Sequence, residues 1–251
     1  AAEQGEARAA YTTGMMNLLG VGVPRNVPFA LTWLKPIAEK GNVAVSYLLG
    51  SIYQLGYWVP QDRNEANKWF SIAAETKHPG ALIYLAKNAE SGVIEGSVEE
   101  RISIAVSAYE DVLSGVLASN EERSEAAYRL GLIYSGYMHL KDEAELSMKA
   151  MEKSVRYSEK TANEYGVKAL MWLGDKYQND DLNHAVKHYV VALEHLKKLP
   201  IDVQQRHANA WEKVAHAYGR GQSGNLDRDE RQFSRYMNER HRVMAMSYIP
   251  K

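Results

Sequence analysis

Three histidines on one predicted helix are the residues best suited to metal chemistry. His184, His188 and His195 are spaced i, i+4 and i+11, so they share roughly one helical face. Two histidines at i, i+4 can chelate zinc when a carboxylate joins them, but Glu194 belongs to another face. The His-Glu-x-x-His pattern of metalloproteases does not occur. A solvated helix face explains the spacing, and we predict no metal site.

Other patterns that could support catalysis are missing or explained by turns. The stretch 219–224 is rich in glycine, but no Gly-Lys-Ser/Thr follows it, so we assign it to a turn. Asp180 and Asp181 fall where a predicted helix begins, a place where aspartate acts as an N-cap. The chain has no cysteine, which excludes disulfides, thiolate metal sites and cysteine nucleophiles. We therefore predict neither an enzyme nor a bound cofactor.

Composition disfavours nucleic acid and membrane partners. The net charge is −1, whereas a nucleic-acid binder usually carries a basic excess that contacts phosphates. Sixteen tyrosines could stack on bases, but Tyr11, Tyr47 and Tyr128 recur at one repeat position, which favours packing. No run of about 18 apolar residues is present, so we expect no transmembrane segment.

The chain is built from internal repeats. Gly14, Gly50 and Ala86 lie 36 residues apart, and equivalent small residues follow at wider spacing at Gly131, Gly174 and Ala215. Glycine costs about 1 kcal/mol relative to alanine in a helix, so its recurrence predicts close helix–helix contact. The predicted units span residues 6–41, 42–77, 78–120, 121–163, 164–204 and 205–251.

Each unit predicts two helices joined by a turn. Glycines and a proline mark the turns at 20–24 and 56–60. The second helices carry alanines and aromatics at i, i+3, i+4, i+7 and i+8, which forms one apolar face. Pro36 interrupts the first of these helices and is expected to kink it or end it early.

The segment from Leu49 to Glu75 resembles a Sel1-like repeat, a relative of the tetratricopeptide repeat with a longer interhelical turn. The resemblance is detailed over residues 1–92, and units four to six diverge because they lack the Gly-x-Gly-Val turn. It implies an all-α solenoid of about twelve helices in six antiparallel pairs. Residues 1–5 align with the end of a second helix, so we expect a preceding repeat upstream of residue 1.

In such solenoids the first helices line the concave surface. Positions −6, −2, +1 and +5, counted along the chain from the small residue of each unit, should point to the concave surface. Together they form a stripe along the first helices. Residues on this stripe that do not recur between units are candidates for partner binding. They are Arg8, Met15, Leu48, Ser51, Tyr84, Lys87, Arg129, Trp172, Asp175 and His216.

The resemblance implies a bacterial scaffold or adaptor, not a catalyst, that binds a protein or peptide. A periplasmic or secreted location is expected over a cytoplasmic one. Three alternatives stay open: an immunity protein that neutralises a secreted toxin, a structural element of an envelope complex, and an enzyme or β-lactam-binding Sel1-like protein. The last is disfavoured because those relatives carry a cysteine pair in each repeat, and this chain has none.

Overall fold

Asparagine and aspartate side chains begin many of the helices. Asn42 accepts a hydrogen bond from the backbone N–H of Val45, and Asn163 accepts one from Gly166. Asp181 accepts from the N–H of His184, which confirms its predicted role as an N-cap. Such caps satisfy backbone donors that a helix start leaves without an intrahelical partner. The short polar residues between apolar stretches therefore determine where the helices start.

The structure is a computed structural model that describes residues 2–136, 143–220 and 230–246. These residues form thirteen helices and no strand, which confirms the predicted all-α class. The chain divides into two compact units, Ala1–Ala118 and Ser119–Lys251. The first unit contains α1 (Ala2–Leu19), α2 (Val27–Glu39), α3 (Val43–Leu55), α4 (Arg63–Glu75), α5 (Pro79–Glu90) and α6 (Val98–Ser114).

The second unit contains one helix more than the repeat pattern predicts. Its helices are α7 (Asn120–Gly136), α8 (Glu143–Ser158), α9 (Glu164–Tyr177), α10 (Leu182–Leu196), α11 (Ile201–Arg206), α12 (Asn209–Arg220) and α13 (Glu230–Ala245). The additional helix is α11, a short helix that follows Pro200. The thirteen described helices agree with the expected number of about twelve, and the additional one forms in the lengthened connector between α10 and α12.

Consecutive helices pack as pairs within each unit. The pairs are α1·α2, α3·α4 and α5·α6 in the first unit and α7·α8, α9·α10 and α12·α13 in the second. The predicted close approach at the small residues is confirmed. A Cβ added to Gly50 would lie 2.8 Å from the Phe70 ring, and one added to Gly131 would lie 2.8 Å from Met151. Each glycine admits a large side chain from the partner helix.

Two sequence-based expectations differ from the helix boundaries. Helix α2 continues to Glu39, so Pro36 does not end it early. Proline removes one backbone N–H but its ring is compatible with the helical φ, and only one further turn follows it. Helix α1 runs without a break from Ala2 to Leu19, so residues 2–5 continue the helix that contains Gly14. The prediction that a repeat precedes this chain stays a prediction. The predicted turn at 219–224 lies largely outside the described residues.

Candidate partner-binding surface

The first unit carries six of the predicted stripe residues on α1, α3 and α5. Arg8 and Lys87 are exposed, whereas Met15, Leu48, Ser51 and Tyr84 are half-buried. The apolar ones among them pack against the core of this unit with part of their surface. The stripe therefore combines exposed charged residues with apolar side chains that pack against the core of the unit.

Tyr84 shows how such a side chain is anchored. Its ring lies 4.1 Å, centroid to centroid, from the ring of Phe70 on α4. Phe70 is buried because Gly50 leaves room for its ring. A ring held in one orientation loses little rotamer freedom on binding, which favours its use as a rigid anchor.

The second unit carries the other four stripe residues on α7, α9 and α12. Arg129 Nε donates to Glu125 Oε1 at 3.1 Å, and both side chains are partly buried. Trp172 packs partly against a small core around Met151, and the ammonium of Lys176 lies 5.0 Å from the centre of its ring. His216 is exposed. An aromatic side chain next to cations, with part of its surface accessible, is typical of protein interfaces.

Asp175 is held by contacts within the unit. Its carboxylate accepts a hydrogen bond from the Tyr189 hydroxyl at 2.7 Å and forms an ion pair with Lys213. The Lys213 ammonium also lies 5.8 Å from the centre of the Tyr189 ring. The ion pair joins α9 to α12, so Asp175 has a packing role that its position on the stripe alone did not predict.

A charged cluster around Glu164 was missed by the sequence analysis. The Glu164 carboxylate lies 2.8 Å from Lys168 Nζ, 3.0 Å from His207 Nε2 and 3.4 Å from Arg206 Nη2. Burial by itself would raise the pKa of this carboxyl, but hydrogen bonds with Lys168 and His207, together with the positive charges, lower the pKa to about 2. Only the i, i+4 spacing of Glu164 and Lys168 was visible in the sequence.

Acidification should weaken the second unit through Glu164. Because its folded pKa, about 2, lies below its ordinary value of 4.5, the carboxylate stabilises the fold above about pH 4.5. That contribution is lost as the pH falls from about 4.5 toward 2. We expect Glu164→Gln to destabilise the protein at pH 7 and to have a smaller effect near pH 2 in urea unfolding. For the control Glu152→Gln, at an exposed position, the difference in stability from the wild type should not shrink between pH 7 and pH 2. If the stability difference between the wild type and Glu164→Gln is the same at both pH values, the prediction is contradicted.

Two half-buried tyrosines lie next to this cluster. Burial, together with the nearby carboxylate of Glu125, raises the pKa of Tyr165, and burial raises the pKa of Tyr128. The two rings lie 6.1 Å apart, and the Lys168 ammonium is 5.2 Å from the centre of the Tyr165 ring. Both rings are half-buried, and the Tyr165 hydroxyl is hydrogen-bonded to Glu125, so these tyrosines pack beside the charged cluster.

The histidines of α10 have packing contacts. The rings of His184 and His188 stack on each other at 5.2 Å, and His184 stacks on Tyr177 at 4.3 Å. His195 is buried, which lowers its pKa. Among the described residues, no three histidine, aspartate or glutamate side chains are placed to hold a metal ion.

None of the helices in the described part of the chain is both long enough and apolar enough to cross a bilayer.

Helix pairs repeated along the chain, with a small residue where the two helices of a pair meet, define a repeat protein of the α-solenoid class. The family model of the Sel1 repeat matches residues 7–42, 44–78 and 124–164. The family model therefore matches segments in both units. The third match extends the family resemblance beyond residues 1–92. Unit four lacks the Gly-x-Gly-Val turn but keeps the contact between Gly131 and Met151.

Solved structures show the same fold. A Sel1 repeat protein from Oxalobacter formigenes superposes with a TM-score of 0.64 at 19% identity, covering 93% of this chain and 84% of that one. The protective antigen c5321, present in uropathogenic Escherichia coli strains, displays an SLR fold and matches with a TM-score of 0.66 at 22% identity. The match covers 95% of this chain and 46% of c5321, so the chain spans about half the length of that protein.

A weaker likeness is found to the immunity protein Pa5087 from Pseudomonas aeruginosa. Its TM-score is 0.38 at 14% identity, with 98% of this chain and 88% of that one covered. A TM-score this low supports no argument about function. A search of curated proteins finds no significant match to the sequence.

Proposed function

We propose that this protein is a non-catalytic scaffold that binds a protein or peptide through the first-helix stripe of each unit. Sel1 repeats in general mediate protein–protein interactions. The observation that carries the proposal is the combined packing and exposure of the stripe side chains Leu48, Tyr84 and Trp172. Each is packed against the core on one side and accessible on the other. Rigid, partly exposed aromatic and aliphatic residues are typical anchors of protein interfaces.

Charges near these anchors support selectivity for a polar partner. Lys87 is an exposed stripe residue on α5, and the Lys176 ammonium lies 5.0 Å from the centre of the Trp172 ring in the second unit. Exposed charges at the edge of an interface contribute mainly to association rate and specificity. Apolar anchors with charged neighbours therefore suit a peptide or protein that presents both apolar and polar groups.

Site-specific photocrosslinking can test the proposal. A photoreactive amino acid at position 48 or 172 should form covalent adducts with a partner in cells of the source organism. The same group at Ile104 on α6 or Val191 on α10 should not, although these side chains on second helices are more exposed than Leu48 and Trp172. Adducts formed equally from all four positions, or from the second helices alone, would contradict binding through the stripe.

Alanine variants of the anchors provide the quantitative test. We expect Tyr84→Ala and Trp172→Ala each to weaken binding of the crosslinked partner by at least about 30-fold, the loss typical of an interface hot spot. Both residues are half-buried, so affinity must be measured well below the melting temperature of each variant. Ile104→Ala and Val191→Ala are the matched controls and should bind normally. If all anchor variants keep wild-type affinity, the stripe is not the binding surface.

A further inference from the structure

The stripe has an excess of positive charge that the chain as a whole lacks. The chain contains 30 lysines and arginines and 31 aspartates and glutamates, and its net charge is −1. At the stripe positions, however, basic residues outnumber acidic ones by six to two. The basic residues are Arg8, Lys87, Arg129, Lys168, Lys213 and Arg220, and the acidic ones are Glu125 and Asp175. The charges of the chain are therefore distributed so that the proposed binding surface is basic.

In the second unit the basic residues are arranged around Trp172. Lys168 and Lys176 lie four residues before and four residues after Trp172 on α9, so the three side chains follow one another along one face of the helix. Arg129 on α7 and Lys213 on α12 occupy the same repeat position as Trp172, two residues before the small residue of their units. The half-buried indole therefore has basic residues along its own helix and at the equivalent position of the first helices before and after it.

The two carboxylates on the stripe already have donors within the second unit. Glu125 accepts a hydrogen bond from Arg129 Nε at 3.1 Å. Asp175 accepts one from the Tyr189 hydroxyl at 2.7 Å and pairs with Lys213. An ammonium carries three N–H groups, so a lysine in one ion pair keeps donors for a second acceptor. This surface therefore offers donors and positive charge to an incoming group, while its carboxylates are already occupied.

Lys176 has the charge that is most accessible to a partner. Its ammonium lies 5.0 Å from the centre of the Trp172 ring, and its side chain is exposed. Within the part of the chain that the structure describes, Lys176 forms no ion pair with a carboxylate. A carboxylate that approaches the accessible face of the indole would meet this ammonium and accept a charge-assisted hydrogen bond, which is stronger than a neutral one.

We propose that the stripe of the second unit binds an acidic peptide segment of its partner. An apolar side chain of that segment packs on Trp172, and aspartates or glutamates beside it pair with Lys168 and Lys176. The two lysines are about 12 Å apart along the helix axis, a distance that about four residues of extended chain span. Acidic residues about two positions before and after the apolar one therefore reach one lysine each. This inference rests on the proposed function, because it gives the chemistry of the partner that the stripe binds.

A single-stranded nucleic acid fits this surface less well than an acidic peptide. Nucleic acids also combine negative charge with flat rings that stack on aromatic side chains. Their phosphates form a continuous row, however, and Glu125 and Asp175 lie among the basic residues of the stripe. These carboxylates repel phosphates that must pass over them. A peptide can place its few carboxylates at the lysines and uncharged groups elsewhere.

Selection of displayed random peptides on the purified 251-residue chain tests the proposal without knowledge of the natural partner. We expect enriched peptides to carry an apolar residue with aspartate or glutamate about two positions away on each side. Lys176→Glu should weaken the binding of a synthetic peptide of this kind by at least about 10-fold in fluorescence anisotropy, because it replaces attraction by repulsion. Lys187→Glu is the matched control, since Lys187 is equally an exposed lysine but lies on the second helix α10. It should leave the affinity nearly unchanged.

Trp172→Ala separates this inference from the proposed function. Enriched peptides that require Trp172 but contain no acidic residues would overturn the acidic partner and leave the stripe as the binding surface. If no peptide is enriched, or the peptides bind Trp172→Ala and Lys176→Glu as tightly as the wild type, the stripe itself is contradicted. A single-stranded oligothymidylate that displaces the peptide and binds more tightly would overturn the peptide in favour of nucleic acid. Circular dichroism must show that each variant is folded, and Lys176→Glu, at an exposed position, keeps the test decisive if Trp172→Ala is not.

Discussion

Replacing Trp69 by alanine should lower the free energy of unfolding of the first unit by about 3–5 kcal/mol, the cost typical of emptying a large buried site. The Trp69 indole is fully buried, and its N–H donates to the Glu65 carboxylate at 3.0 Å. The Lys68 ammonium lies 4.4 Å from the centre of its ring. The substitution therefore removes apolar packing, a hydrogen bond and a cation–π contact together. Chemical denaturation followed by circular dichroism measures the loss.

Trp33→Ala is the matched control, because Trp33 occupies the same repeat position. Its side chain is 39% exposed, so less apolar surface returns to water when it is truncated. We expect a loss well below that of Trp69→Ala when both variants are measured under the same conditions. Equal losses at the two positions would show that burial in the repeat stack does not determine the cost.

A methyl group added at Gly174 should destabilise the second unit by about 1–3 kcal/mol, the usual range for overpacking a core. The new Cβ would lie 2.3 Å from Cε1 of Tyr189. That ring is buried, and its hydroxyl donates to Asp175, so it cannot move without breaking the contacts that join α9, α10 and α12. Thermal unfolding of Gly174→Ala should show a clearly lower melting temperature.

Gly136→Ala should not destabilise the protein, in contrast to Gly174→Ala. Gly136 ends helix α7, and a Cβ there would meet no described atom within 4 Å. Alanine is favoured over glycine in a helix by up to about 1 kcal/mol, so this variant should be as stable as the wild type or slightly more stable. Destabilisation of both variants by the same amount would mean that helix packing at Gly174 is not what excludes a side chain.

The helix class and the contact at the small residues could be derived from the sequence. A small residue recurs on the first helices, as the spacing of Gly14, Gly50 and Ala86 shows, and an apolar face recurs on the second helices. Both signals depend on residues within one helix pair, so they can be found in the sequence. Local signals such as Asp181 at a helix start also hold, because an N-cap depends only on residues a few positions away.

Contacts between helices were decided only by the tertiary structure. Glu164 meets His207 across 43 positions of sequence, and Asp175 meets Lys213 across 38, so neither pair follows from a local pattern. Exposure likewise depends on what stacks on a helix pair. Trp33 and Trp69 occupy the same repeat position, yet only Trp69 is covered, by the helices of the preceding pair. The sequence determined that these positions are equivalent. The stacking of one helix pair on the next determined which of them are buried, because burial depends on the neighbouring helices and not on the residue type.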